Sequence, residues 1–235
     1  PREVAPLANA LNRLLERLDH ALDGERRFTA DAAHELRTPL AAIQIQAQVA
    51  LASQKEDGRA HALEQVLAGT RRAARLVEQL LRLARLDPLA GLPDSSEVDL
   101  VALARGVAAD PHLDPARIDL ECVDGARLAG DPDLLRVALR NLLDNALRYS
   151  PPASRVRLGV GVENTAPRLR VEDGGPGVPA AELPRLTERF YRGGEVAREG
   201  SGLGLAIVAR IAQLHGARLA FENRVTGGLR ATLAW

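Results

Sequence analysis

The chain has 235 residues, enough for one large or two small domains with a buried core. Its 31 basic and 31 acidic side chains cancel, which excludes the global field of a nucleic-acid or anionic-membrane binder. A single cysteine, Cys122, rules out an intrachain disulfide framework, and no apolar run approaches the ~20 residues of a membrane span.

The chain contains no methionine and is therefore expected to be a piece of a longer protein. From Pro1 to about Asp19, Leu7, Leu11, Leu14, Leu15 and Leu18 fall at helical spacing, and Leu22 continues the stripe. The pattern runs on to Ser53. Leu36, Leu40, Ile43, Ala47 and Ala50 follow steps of four and three and predict a buried seam. His34 lies about 200° around the helix from Leu36, so it faces away from that seam. Thr38, one turn later, shares its face. Pro39 removes a donor to the Glu35 carbonyl, which predicts a bend. After a polar turn over Gln54 to Gly58, a second helix from Arg59 to Asp87 carries Leu63, Val66, Thr70, Ala73, Val77, Leu80 and Ala84 as its seam. A hairpin of two such helices cannot cover both stripes alone, and a homodimeric four-helix bundle is the simplest solution.

Pro88 to Glu97 is rich in proline and serine and reads as a hinge. Beyond it the periodicity changes. A short strand at Val98-Asp99 and a helix from Leu100 to Ala109 come first. Strands over Arg117 to Val123 and Ala126 to Ala129 are expected to pair around Asp124-Gly125. Asp131-Pro132 opens a helix to about Ser150, with an acidic N-cap and proline at the first helical position. Alternating runs at Arg155 to Asn164 and Arg168 to Glu172 predict an antiparallel pair, followed by a short helix from Pro179 and a longer one from Ser201 to Leu214. Arg218 to Asn223 and Leu229 to Trp235 form the last hairpin. The sum is an α+β sandwich, one layer of helices on a mixed sheet.

On the helix from Asp131, Leu135, Leu139, Leu142 and Ala146 form the core face. Beside it runs a polar face of Asn141, Asn145, Arg148 and Tyr149. Two amides one turn apart offer carbonyl oxygens to a hard cation such as Mg²⁺, and an arginine reaches phosphate oxygens. Asp173, followed by Gly174, Gly175 and Gly177, places a carboxylate beside bare backbone, where a purine amino group can be read. Gly200, Gly202 and Gly204 precede a helix and expose amide N–H groups to phosphates.

The run from Phe28 to Leu40, with Glu35-Leu36-Arg37-Thr38-Pro39-Leu40 directly after His34, resembles the phospho-acceptor box of bacterial two-component sensor histidine kinases. Asn141 to Ser150 resembles that family's N box, Asp173 to Gly177 its G1 box, Glu188 to Arg192 its F box and Gly200 to Leu205 its G2 box. Two departures stand out: Arg148 where the family often has lysine, and Thr187 where it usually has a bulky apolar residue.

The resemblance implies a helical hairpin pairing into a dimeric four-helix bundle, followed by an α+β ATPase domain of the GHKL (Bergerat) type. The implied domains are the end of a HAMP linker over 1–19, the phospho-acceptor hairpin over 20–87, a hinge over 88–97 and the ATP-binding domain over 98–235. His34 would accept the γ-phosphoryl group of ATP, with Glu35 as base or orienting group, and pass it to an aspartate of a response regulator receiver domain. Asn145 and Asn141 would hold Mg²⁺. Asp173 would read adenine, Phe190 would anchor a lid, and Arg189 and Arg192 would face the phosphates. The H-E-x-x-T pattern ending at Thr38 implies regulator dephosphorylation as well. Such a chain is expected to be the cytoplasmic portion of a bacterial inner-membrane protein, membrane-attached only through a part N-terminal to it, with no nucleic-acid partner. Two rivals remain at this point. A gyrase-type ATPase would need an acid where Asn141 supplies an amide, and a kinase-like scaffold would bind a regulator without chemistry.

Overall fold

The computed structural model describes residues 5–86, 95–193 and 201–235, with the side chains of 5–14, 16–27 and 85 outside that description. The side chains of the leucine stripe before His34, apart from exposed Leu15, therefore lie outside that description, as do most of the expected hinge and Gly200. The chain divides into two compact units between Glu78 and Gln79.

The first unit is helical. Helix α1 spans Ala5–Ala52 and continues through Pro39, and α2 spans Glu56–Arg85. The connecting turn is one to three residues earlier than the polar run implied, because Glu56 and Asp57 favour the N-terminal turn of α2 and draw Gly58 into the helix. Ser53 Oγ donates to the Lys55 carbonyl and closes that turn.

The buried line of α2 is Ala62, Gly69, Leu76 and Leu83, a seven-residue repeat one position away from the expected seam. Val66, Ala73 and Leu80 are half-buried, whereas Leu63, Thr70, Val77 and Ala84 are exposed. Small residues explain the shift: a methyl group on Gly69 would stand 2.7 Å from Ile43 Cγ1, so the helices approach closely where Gly69 offers no side chain. In α1, Leu36, Ile43 and Ala47 are half-buried and Ala50 is buried, but Leu40 is 55% exposed.

The second unit carries a five-stranded sheet in the order β2-β4-β5-β7-β6 and a two-stranded sheet of β1 and β3. Strand β1 (Ser96–Asp99) leads into α3 (Leu100–Ala108), whose N-cap Asp99 accepts from the Val101 and Ala102 amides. Strands β2 (Ile118–Cys122) and β3 (Arg127–Gly130) do not form the expected hairpin. Strand β3 pairs antiparallel with β1, and β2 pairs parallel with β4 (Val156–Glu163). The Leu100 amide donates to the Ala126 carbonyl, which ties β3 to the strand entering α3. The apolar Ile118 and Leu120 of β2 line up instead with Val156 and Leu158 of β4.

The remaining pairings follow the alternation. Strand β5 (Ala166–Glu172) runs antiparallel to β4 across Asn164 and Thr165, both at positive φ, as a two-residue turn of the primed type requires. Strands β6 (Arg218–Asn223) and β7 (Leu229–Ala234) form the last hairpin, with β7 against β5.

One face of the sheet is apolar, with Val156, Leu158, Val160, Leu169, Val171, Leu229 and Leu233 buried. Against it lie α3, α4 (Pro132–Tyr149) and α5 (Gly204–Leu214), with Leu139, Leu143, Ile207 and Ile211 nearly sealed from solvent. The stretch expected as a helix from Pro179 is only a 3₁₀ turn, Leu183–Thr187. Pro184 falls inside it and supplies no donor. Among the described residues no helix is long and apolar enough to cross a membrane.

Candidate functional site

Helix α4 is the base of the site. Asp131 caps it by accepting from the Asp133 and Leu134 amides, and Pro132 sits at its first position. The Asp131 amide in turn donates to Nε2 of buried His215, which fastens the start of α4 to the end of α5. With the helix so fixed, Asn141, Asn145 and Tyr149 lie half-buried along its polar side.

Two of the other sequence segments meet α4, and the segment of Phe190 joins through one of them. The Asn141 amide donates to the Val137 carbonyl at 2.8 Å, which leaves Oδ1 turned towards the first residue of α5. A methyl group on Gly204 would stand 3.0 Å from that oxygen. At the far end of α4, a methyl group on Gly175 would meet the Tyr149 carbonyl at 2.8 Å, and the Gly174 amide donates to Ser150 Oγ at 3.3 Å. The Phe190 amide donates to the Gly202 carbonyl at 3.0 Å, joining the F-box-like and G2-box-like segments. Gly202 has φ of +69° and a methyl group there would lie 2.6 Å from the Phe190 carbonyl carbon, so no other residue fits. Phe190 itself has φ of +61°, an unusual conformation for a bulky side chain.

Asp173 is buried at the end of β5, and its Oδ1 accepts from the Gly175 and Leu229 amides at 2.8 and 3.0 Å. Burial pushes its carboxyl up from the usual 3.8, and those two amides and the Arg224 charge offset only part of that rise. Arg148 is engaged with Asp144 at 2.6 Å on the outer side of α4. Arg189 and Arg192 are exposed, and Gly177 holds φ of +78° beyond the turn. Ser201 Oγ accepts from the Leu203 amide and donates to Gln79, the first residue of the second unit.

On α1, His34 and Thr38 are both exposed and Glu35 is half-buried. Sequence reasoning missed Ser150, Glu172, Asn223 and Arg224. The last two sit at the mouth of the β6–β7 turn, and only knowledge of which strand neighbours β5 would have pointed to them.

Residues 25–89 match the His Kinase A (phospho-acceptor) domain, and residues 130–235 match the histidine kinase-, DNA gyrase B- and HSP90-like ATPase domain. The sensor protein QseC of Escherichia coli O157:H7 is 45% identical over the whole of this chain and 53% of its own length. The chain belongs to the two-component sensor histidine kinases.

Among other relatives of this kinase, the sensor protein kinase PmrB of Pseudomonas aeruginosa is 43% identical over 92% of the chain and 46% of its own length. The chain thus spans about half the length of these curated relatives. The Acinetobacter baumannii histidine kinase AdeS superposes with a TM-score of 0.65 at 25% identity, covering 86% of this chain and 96% of that one. The mycobacterial sensor histidine kinase MprB superposes with a TM-score of 0.55 at 28% identity, over 59% of this chain and 96% of that one. The second unit is accordingly an ATP-binding domain of this kinase.

Proposed function

We propose that this kinase transfers the γ-phosphoryl group of ATP to His34 and then to an aspartate of a response regulator receiver domain, acting as a homodimer. The observation that carries this is the presence, in one chain, of an exposed histidine on α1 and an ATP-binding domain in which the Gly174–Gly175 and Gly204 segments meet α4 and the Phe190 segment joins at Gly202. Exposure suits a nucleophile that must meet two partners in turn. The imidazole lone pair attacks the γ-phosphorus in line, the β–γ bridging bond breaks, and ADP leaves. Glu35 orients the imidazole or takes its proton, its long side chain curling round the helix because neighbours in sequence do not share a face.

Asp173 accepts a hydrogen bond from the adenine amino group, Tyr149 flanks the base, and Gly175 and Gly177 let the ring approach. Arg189 and Arg192, with the amides of the Gly200, Gly202 and Gly204 segment, face the phosphates, Arg148 turns to them from its pairing with Asp144, and Phe190 anchors the lid. The residues fit Mg²⁺ in one respect: the Asn141 NH₂ is turned back to the Val137 carbonyl, which directs its Oδ1 away from α4's own backbone. Asn145 and Asn141 would hold the ion, which would neutralise charge on the phosphates.

Thr38, exposed one turn after His34, orients a water against the regulator's phospho-aspartate and makes the kinase a phosphatase too. Residues 20–87 are the dimerisation and phospho-acceptor hairpin, preceded by the end of a HAMP linker over 1–19 and joined to the ATP-binding domain over 98–235 by a hinge over 88–97. The chain works on the cytoplasmic side of the inner membrane.

Incubation with γ-labelled ATP tests this reading. The label is expected on the protein, lost in acid, retained in base, and transferable to a receiver domain. Phosphate released to solution with no labelled protein would mean an ATPase, and ATP left intact a scaffold.

A further inference from the structure

The turn between β6 and β7 grips the Asp173 segment at both ends. Asn223 Oδ1 accepts from the Val178 amide at 2.8 Å, and its Nδ2 donates to the Val178 carbonyl at 2.6 Å. Arg224 Nη1 donates to the Asp173 carbonyl at 2.6 Å, while its Nε lies 3.3 Å from Glu172 Oε2. Glu172 is buried and also receives Arg230 Nε at 2.6 Å, so the carboxylate that orients Arg224 is itself held. Leu229, first residue of β7, completes the grip by donating to Asp173 Oδ1 and accepting from the Asp173 amide. Close approach is possible only because Gly228 stands there: with φ of +91°, a methyl group on it would lie 2.1 Å from the Asp173 carbonyl oxygen.

These contacts have a common consequence. Oδ1 is committed to two backbone amides, which fixes the carboxylate rotamer and leaves Oδ2 to meet a ligand. The backbone on either side is immobilised by Arg224 before the turn and Asn223 after it. From this we infer that Asn223 and Arg224 are positioning residues for base selectivity, holding the Asp173–Val178 loop so that Oδ2 meets a purine 6-amino group and rejects a 6-oxo group. A 6-oxo purine presents an acceptor to an acceptor, and a rigid loop cannot retreat from that repulsion. The inference rests on Asp173 being the base-reading carboxylate.

The test compares binding of ATP and GTP to the whole chain, native and substituted, with the melting curve of each protein recorded without nucleotide. Arg224→Gln and Asn223→Ala are each expected to lower the ratio of GTP to ATP dissociation constants about tenfold, and Arg224→Lys to restore part of it. Combining Arg224→Gln with Asp173→Asn should lower the ratio no further than Asp173→Asn alone, because both act through one carboxylate. A purely structural role would shift melting and weaken both nucleotides equally. Equal weakening of the two, or an unchanged ratio in both Asn223→Ala and Arg224→Gln while Asp173→Asn loses selectivity, overturns the positioning role alone. An unchanged ratio in Asp173→Asn overturns the base-reading assignment and the inference with it. If Arg224→Gln does not fold, Asn223→Ala, which leaves the buried Glu172 cluster intact, decides.

Discussion

In the ATP-binding unit Leu139, Leu143, Leu158, Leu203 and Ile207 are all but sealed from solvent, whereas in the helical unit Leu63, Leu40, Leu67 and Leu51 stay between 49% and 88% exposed. The two units contain similar apolar residues and put them to different use. The ATP-binding unit closes its core within one chain, because a sheet face and a layer of helices bury each other. The hairpin has apolar residues around more than one stripe and only one neighbouring helix to bury them. Leu63, Leu67, Val77 and Leu81, exposed along one line of α2, are what a second hairpin would cover. The polar chemistry divides the same way. His34 and Thr38 are exposed, while Asp173 is buried and held by amides and an arginine.

This contrast makes the units separable by mutation. The largest effect belongs to His34→Ala, which should lower incorporation of label from γ-labelled ATP by more than about a thousandfold, as loss of a nucleophile does. ATP affinity, measured by calorimetry, should stay within about twofold. Next, Leu67→Glu should weaken self-association at least about a hundredfold, since a symmetric interface loses two buried leucines and gains two charges. Sedimentation at micromolar concentration would then show a monomer that still binds ATP.

Thr38→Ala comes third. Dephosphorylation of the phosphorylated regulator should fall about a hundredfold, the scale of a lost proton-handling or water-orienting group. Autophosphorylation should be unchanged. Parallel loss of both activities would mean that the Thr38 hydroxyl only supports the helix by bonding a backbone carbonyl.

The smallest effect belongs to Asp173→Asn, which should raise the ATP dissociation constant ten- to a hundredfold, the scale of a hydrogen bond to a charged group. It should act oppositely on stability. Burial raises the folded-state pKa of Asp173 above 3.8, so its contribution to folding is full below 3.8 and lost as pH rises through the folded value. The ionised side chain is therefore a cost at neutral pH, and Asp173→Asn should melt higher than native protein at pH 7 but not at pH 3.5. For the same reason native ATP affinity should begin to fall, on acidification, at a pH above that of an ordinary carboxylate.

Much of this was legible in the residues. Asp131-Pro132 marks the start of α4, and its four-and-three spacing separates a leucine core face from the asparagine face. Alternation gives β4, β5 and β7 their buried residues, and the last hairpin falls where its glycines place it. Partner choice among strands was less legible. Asp124-Gly125 is a turn, with Gly125 at φ of +94°, but a turn residue does not say which strand receives the chain beyond it. The α2 seam was displaced by one because alternative apolar lines lie side by side on that helix, and Gly69 against Ile43 decides between them through fit. Asn223 and Arg224 were invisible for a related reason. Their meaning comes from β7 lying beside β5, which brings a hairpin mouth about 50 residues downstream onto Asp173.

The central claim is that a solvent-exposed histidine on the hairpin receives phosphate bound by the other unit. Peptide mapping of native protein after brief incubation with ATP at neutral pH addresses it most directly. The phosphoryl group is expected on the peptide containing His34, attached to imidazole nitrogen and absent when ATP is replaced by a non-hydrolysable analogue. Stable phosphate on any other residue, with His34 unmodified, would contradict the account.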